Sequence, residues 1–274
     1  MTNNEGIIPD ETYFHRTGDV FTPTALTRGP WDPNSLHGRV VAGLLMYEVQ
    51  RKHLDPAFQV ARITVDMFRV APMLPVTVVT NVVRDGNRIR VADASLRLDD
   101  GLEIARASVV MLRRAATPEG DVWAPPLWDV PHPDTLETPP PPPAQFGPAT
   151  WETRAISGRI GVGADADETP VQKRAWVRDL VKFVDDEWAS PLVSAAMLSD
   201  FANPFANAGT RGLNYVNADA SMYLHRDPTG EWIGIEVAGH NASEGIAVGE
   251  VVLYDLDGAF GRATVCGVAN QHRR

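Results

Sequence analysis

Two stretches of this chain, roughly 150 residues apart, carry one programme: a helix rich in small apolar residues, then long alternating strands with a near-identical turn. Asp100-Gly101 leads into Arg106-Ala107-Ser108-Val109, and Asp257-Gly258 leads into Arg262-Ala263-Thr264-Val265. That period is too long for a solenoid and calls for two copies of one domain packed as a pair, with ligands expected at the seam between them.

A length of 274 residues accommodates two cores of about 130 residues each. A hydrophobic fraction of 44% with 22% charged residues matches ordinary globular proteins and argues against wholesale disorder. The formal charge of −10 repels nucleic acid and anionic membrane surfaces, so neither is expected as a partner. Cys266 is the single cysteine and has no disulfide partner, and residues 1–10 carry neither a basic start nor a long apolar run. No run approaches the roughly 20 apolar residues that span a bilayer. The expectation is a cytoplasmic protein without a membrane anchor.

Along the first half, residues 12–24 read as a strand and 28–34 as a loop. Asn34 or Ser35 can cap a helix in which Val40, Val41, Leu44, Leu45 and Val49 recur at helical spacing. Ala42 and Gly43 keep that helix slim enough for a sheet to enclose it. Strands are expected over 63–70, 76–83, 89–98 and 102–112, with hairpin signals at Asp85-Gly86-Asn87 and Asp99-Asp100-Gly101. A proline-rich connector follows over 117–149, including the polyproline run 139–143. The second half repeats the order: strands over 151–159 and 175–185, a helix from about Pro191 to Ala206 broken by Pro204, and strands over 214–226, 231–239, 245–254 and 261–269. Helix first and then an antiparallel meander is an α+β order, unlike the alternating βαβ order of a parallel sheet.

At Met197-Leu198-Ser199-Asp200, and at the strand that runs from Asn217 to Leu224-His225-Arg226, the sequence resembles the TesB-like acyl-CoA thioesterases. The Glu231-Trp232-Ile233 strand, the final Asp-Gly turn and His37-Gly38 ahead of Ala42-Gly43-Leu44-Leu45 extend the resemblance over nearly the whole chain. It implies a double hotdog, two copies of a long helix wrapped by a curved antiparallel β-sheet, with an N-terminal hotdog over 1–116, the linker over 117–149 and a C-terminal hotdog over 150–274. It also implies hydrolysis of an acyl-CoA thioester by water, with no cofactor beyond the coenzyme A of the substrate and no metal. A homodimer or higher homo-oligomer is expected from the exposed sheet edges.

Thioester hydrolysis needs a group that orients or deprotonates water and donors aimed at the developing oxyanion. Asp200, a carboxylate between Leu198 and Phe201 in an apolar helix, fits the first role. The resemblance sets Asn217 at the family's hydroxyl position beside this aspartate and Cys266 at its glutamine position. Asparagine can donate and accept, whereas a thiol does both weakly. Cys266, with no local base, reads otherwise as a small buried filler. Gly38 opens a helix whose N–H groups suit an oxyanion, and Asn34 and His37 offer side-chain donors from the first half toward Asp200 of the second.

Aligning the copies, Ala42 to Tyr47 matches Ala195 to Asp200 without a gap, so Tyr47 stands where the second half has its aspartate. Glu48 turns about 100° away and reads as a surface carboxylate. One functional site is expected where symmetry permits two. His225-Arg226 is read either as meeting coenzyme A phosphates or as pairing with Asp227 or Glu231. Trp188, Phe201, Phe205 and Trp232 line an acyl tunnel or simply fill core. Gly158 to Gly163 leads into an acidic segment and makes no phosphate loop. Two rival readings stay open. In one the protein is a double hotdog that binds acyl-CoA or a lipid without turnover. In the other, Asp32, Asn34 and His37, spaced like the Asp-x-Asn-Pro-x-His motif of hotdog enoyl-CoA hydratases, act on a C=C bond.

Overall fold

The computed structural model describes residues 12–30, 32–124, 130–140, 148–158 and 171–270. The glycine segment 158–163 beyond Gly158, part of the proline run 139–143 and the N-terminal decapeptide lie outside the described residues.

In the first half, β1 (Thr12–Thr17) and β2 (Val20–Pro23) precede helix α1 (Gly38–His53), which β3 (Phe58–Met67), β4 (Val76–Asp85), β5 (Ile89–Arg97) and β6 (Glu103–Arg113) follow. The second half opens with β7 (Trp151–Ser157), β8 (Arg174–Asp179) and β9 (Lys182–Val184), then α2 (Pro191–Ser199) and α3 (Ala202–Asn207). It closes with the two-residue pair β10 (Ala208–Gly209) and β11 (Gly212–Leu213), then β12 (Tyr215–Asn217), β13 (Asp219–Leu224), β14 (Ile233–Ser243), β15 (Ile246–Asp255) and β16 (Gly258–Ala269).

Fourteen of these strands form one sheet whose central order is β14-β15-β16-β13-β3-β6-β5-β4. That order is a palindrome of the two copies: each meander keeps its own antiparallel register, and the copies meet where β13 pairs with β3, Met222 opposite Ile63. The matching turns carry the left-handed conformation that glycine alone takes without cost, at Gly101 (φ 83°) and Gly258 (φ 110°). β1 and β2 extend one flank beyond β4, while β7 and β8 extend the other beyond β14. The chain then passes from β8 through Leu180 and Val181 to β9, which pairs in parallel with β1. Residues 174–184 thus join the two ends of the strand order and bend the sheet around the helices.

The helices fill the interior. Every residue from Arg39 to Val49 of α1 is buried, and Leu44, Leu45, Met46 and Val49 have no exposed surface. α1 and α2 lie antiparallel, with Gly38 against Asp200 and Gly43 against Met197, while Ser190 Oγ donates to Gln50 Oε1 at 2.6 Å at the far end. A Cβ on Gly43 would stand 2.5 Å from Met197 Cγ, so the slimness expected of this helix face is required by the crossing.

Several sequence expectations move. The cap of α1 is His37, whose Nδ1 accepts from Arg39 N, because Ser35 Oγ donates to Asp32 O and the Asn34 N–H to Asp32 Oδ1. The strand expected over 12–24 is a hairpin of two short strands, and that over 214–226 breaks at Ala218. Glu48 is buried, not superficial, at 1% exposure. Burial alone would raise its pKa, but hydrogen bonds from Arg51 and Lys52 outweigh that and hold it below the usual carboxylate value. The second helix breaks at Asp200-Phe201, four residues ahead of Pro204. A proline has no N–H for the carbonyl four residues back, so Asp200 O accepts instead from Asn203 N at 3.3 Å.

Candidate active site

That displaced break puts Asp200 at the C-cap of α2 (φ −65°, ψ −27°), 6% exposed, with its carboxylate aimed across the helix pair at the first turn of α1. Gly38 makes the approach possible, since a Cβ there would stand 2.7 Å from Asp200 Oδ1 and 3.0 Å from Oδ2. The positive end of the α1 dipole favours an anion in this position.

Two side chains reach the carboxylate. Asn217, the last residue of β12, donates from Nδ2 to Asp200 Oδ1 at 2.9 Å. His37 Nδ1 lies 3.3 Å from Asp200 Oδ2 and 3.2 Å from the Arg39 N–H. One ring nitrogen cannot serve both at once: with a proton it pairs with Asp200, and without one it caps α1 and leaves Nε2 as the ring's donor. The imidazole meets Trp151 of β7 edge-on (centroids 5.9 Å apart) and Phe201 at a tilt (6.0 Å), and those two rings also touch each other at 5.4 Å. Arg39, fully buried, lies over the same two rings and pairs with Asp179 of β8, which also accepts from Ser194 Oγ at 3.0 Å. Both halves therefore supply the site.

Of the residues expected here, Asp200, Asn217, His37 and Gly38 come together. Asn34 does not join them: it is exposed in the loop, bonded through its backbone to Asp32 and Met73. Cys266 is not a buried filler. It is exposed and points off the outer face of β16, whose inward residues are Val265 and Gly267, the latter directly opposite Asn217. Partial shielding of its sulfur and the neighbouring Asp219 carboxylate push the thiol up to about 11, so it is no nucleophile at neutral pH. The inward place beside Asn217 holds a glycine, and the polar groups there are Asn203 and Asn207 of α3, 2% and 4% exposed. Neither is among the residues expected from the sequence, although positions 200, 203 and 207 share helical spacing.

Arg226 forms no ion pair with Asp227 or Glu231, although its Nη1 donates to the Asp227 carbonyl at 3.2 Å. It donates twice to Asp255, at 2.6 Å each, and to Gly258 O. Trp232 packs with Trp176 and Tyr254 in a separate cluster, and Trp188 is exposed, so only Phe201 and Phe205 of the four proposed aromatics adjoin this region. Asp32, exposed, accepts from the Asn34 N–H, and the carboxylate that His37 meets is Asp200, contrary to what the hydratase pattern requires. Among the described residues no group of three His, Cys, Asp or Glu is placed to hold a metal ion.

Residues 27–112 match the model of the acyl-CoA thioesterase N-terminal domain, and residues 129–264 that of the acyl-CoA thioesterase C-terminal domain. The chain belongs to the acyl-CoA thioesterase family. Similar solved structures agree with this family's double hotdog fold. A conserved hot dog fold protein of unknown function from Alicyclobacillus acidocaldarius aligns with TM-score 0.70 at 18% identity, covering 96% of this chain and 97% of that one. A tesB protein of Mycobacterium avium subs paratuberculosis gives 0.67 at 15% identity, covering 93% and 95%. The acyl-CoA thioesterase II TesB2 of Mycobacterium marinum gives 0.62 at 16%, covering 93% and 94%. No curated protein matches the sequence. Among the described residues no helix is long and apolar enough to cross a membrane.

Proposed function

We propose that this member of the thioesterase family hydrolyses an acyl-CoA, with Asp200 as the base that activates water. The observation that carries the reading is the buried Asp200 carboxylate set against a helix N-terminus where Gly38 leaves room for it. Asn217 occupies Oδ1, which leaves Oδ2 to take the proton of a water. Water oxygen attacks the thioester carbonyl carbon, and charge develops on the carbonyl oxygen. The Gly38 N–H, which the His37 cap does not use, and the Nε2–H of neutral His37 are the donors for that oxygen. The C–S bond then breaks, the sulfur leaves with the proton held by Asp200, and the products are a carboxylic acid and the free thiol of coenzyme A. Because His37 belongs to the first half and Asp200 to the second, neither half alone holds this constellation.

A binding-only role is the second reading, favoured by Gly267, which sets no side chain of its own opposite Asn217. Thiol release from a panel of acyl-CoA esters separates the two. Asp200→Asn, nearly isosteric but unable to take a proton, is expected to lower kcat at least about 100-fold. Parent protein that binds acyl-CoA and releases no thiol selects the binding role, and Asp200→Asn as fast as the parent removes Asp200 from the mechanism.

A further inference from the structure

Behind the half-buried Asn217 carboxamide stand two fully buried ones. Asn203 Nδ2 donates to Asn217 Oδ1 at 3.3 Å, and Asn207 Nδ2 donates to Asn203 Oδ1 at 3.0 Å. At the outer end, Asn207 Oδ1 lies 2.8 Å from His240 Nδ1 on β14. Every step donates toward Asp200.

The direction is forced by groups that can only accept. An ionised Asp200 accepts, so Asn217 must present its NH2. That orientation is held a second time by Asp219 O, 3.4 Å from the same nitrogen. Tyr215 O, a backbone carbonyl, takes the other N–H of Asn203 at 3.0 Å. The Asn203 oxygen must then accept, which turns the Asn207 NH2 toward it and the Asn207 oxygen outward. His240 in turn must donate from Nδ1. Amides aligned this way polarise one another, so the acceptor at the end feels more than its immediate neighbour.

The sheet is built to admit this line. A Cβ on Gly249 of β15 would stand 2.8 Å from Asn207 Oδ1 and 2.8 Å from Ala206 Cβ. One on Gly267 would meet Asn207 Nδ2 only at the ordinary contact distance of 3.7 Å. Gly249 thus seats the carboxamide at the C-terminal end of α3.

We infer that Asn203 and Asn207 are positioning residues: they hold the Asn217 carboxamide in the one orientation that donates to Asp200, with His240 closing the line at the surface. The inference deepens the thioesterase reading and rests on it for its kinetic consequence, but not for its spectroscopic one. Nitrogen-15 NMR of the imidazoles near pH 8.5, about two units above an ordinary histidine pKa, reads the tautomer of neutral His240. His240→Gln assigns the signal. The Nδ1–H form is expected, and Asn207→Leu is expected to return the ring to the Nε2–H form that free imidazole side chains prefer. A parent protein with His240 as Nε2–H overturns the line whatever the activity.

In the kinetic arm, Asn203→Leu is expected to lower kcat for thiol release from acyl-CoA about tenfold with KM held within about twofold, since substrate contacts stay and only the orientation of the water-activating pair loosens. A folded Asn203→Leu protein with parental kcat overturns the positioning role. If the parent releases no thiol from any acyl-CoA, the thioesterase reading fails and the tautomer alone decides the line.

Discussion

Gly38 gives the sharpest handle on the site because one methyl group there should damage chemistry without damaging the fold. The Cβ of an alanine would stand 2.7 Å from Asp200 Oδ1, against the 3.4 Å at which ordinary contact begins, a shortfall of about 0.7 Å. The obstruction is a carboxylate tethered at the joint between α2 and α3, so relief comes from moving Asp200. A shift of that size along the contact would stretch the 2.9 Å hydrogen bond from Asn217 beyond bonding distance. Misplacing a reacting group by about 1 Å costs up to roughly 100-fold, which scales here to a loss in kcat of about 30-fold. Position 38 is the first residue of a helix and has no positive φ, and alanine in a helix interior gains up to about 1 kcal/mol over glycine. The displaced carboxylate costs about 1–3 kcal/mol, partly offset by that gain, so Gly38→Ala is expected to fold and to melt only modestly below the parent. Steady-state thiol release and a thermal melt on the same preparation test both halves of the claim. A variant that melts like the parent and hydrolyses like the parent would refute the idea that the approach of Asp200 to this turn matters.

Cys266→Ser is expected to leave kcat unchanged, because the thiol lies outside the sheet; a large fall would return the residue to the site. Arg39→Met should destabilise by about 3 kcal/mol, since it strands the Asp179 carboxylate beside Ser194 in a buried setting, and denaturant unfolding measures it. Asp255 has a pKa held below the ordinary carboxylate value: burial would raise it, but Arg226 and the Thr229 and Asp257 N–H groups outweigh that. A folded pKa below the unfolded one means stability that is full above about pH 3.9 and lost as pH falls through the folded value. Asp255→Asn should thus cost about 2 kcal/mol at pH 7 and progressively less in acid. A penalty that does not shrink as the pH is lowered contradicts this.

The duplication, the α+β order and the two Asp-Gly turns were legible in the residues because each is local: a hairpin turn, a strand alternation or a slim helix face is written within a few positions. Gly38, His37 and Asp200 were legible from their chemistry, Asp200 as a carboxylate inside an apolar helix, and Asn217 from the family resemblance; that the four meet is a property of the fold. Three things were not. The direction in which Cys266 points depends on register against β12, where Gly267 takes the inward place and leaves its neighbour outside. The burial of Glu48 depends on Arg51 and Lys52 meeting it from the exposed last turn of a helix that is otherwise enclosed. The line from His240 to Asp200 joins residues 40 positions apart that meet only because α3 is pressed onto β15 at Gly249. Sequence by itself determined the copies and the asymmetry between them, Asp200 in one and Tyr47 in the other. Only the tertiary structure decided which polar groups share a face of the wrapped sheet, because side-chain direction in a strand reverses with each residue and register is a long-range property.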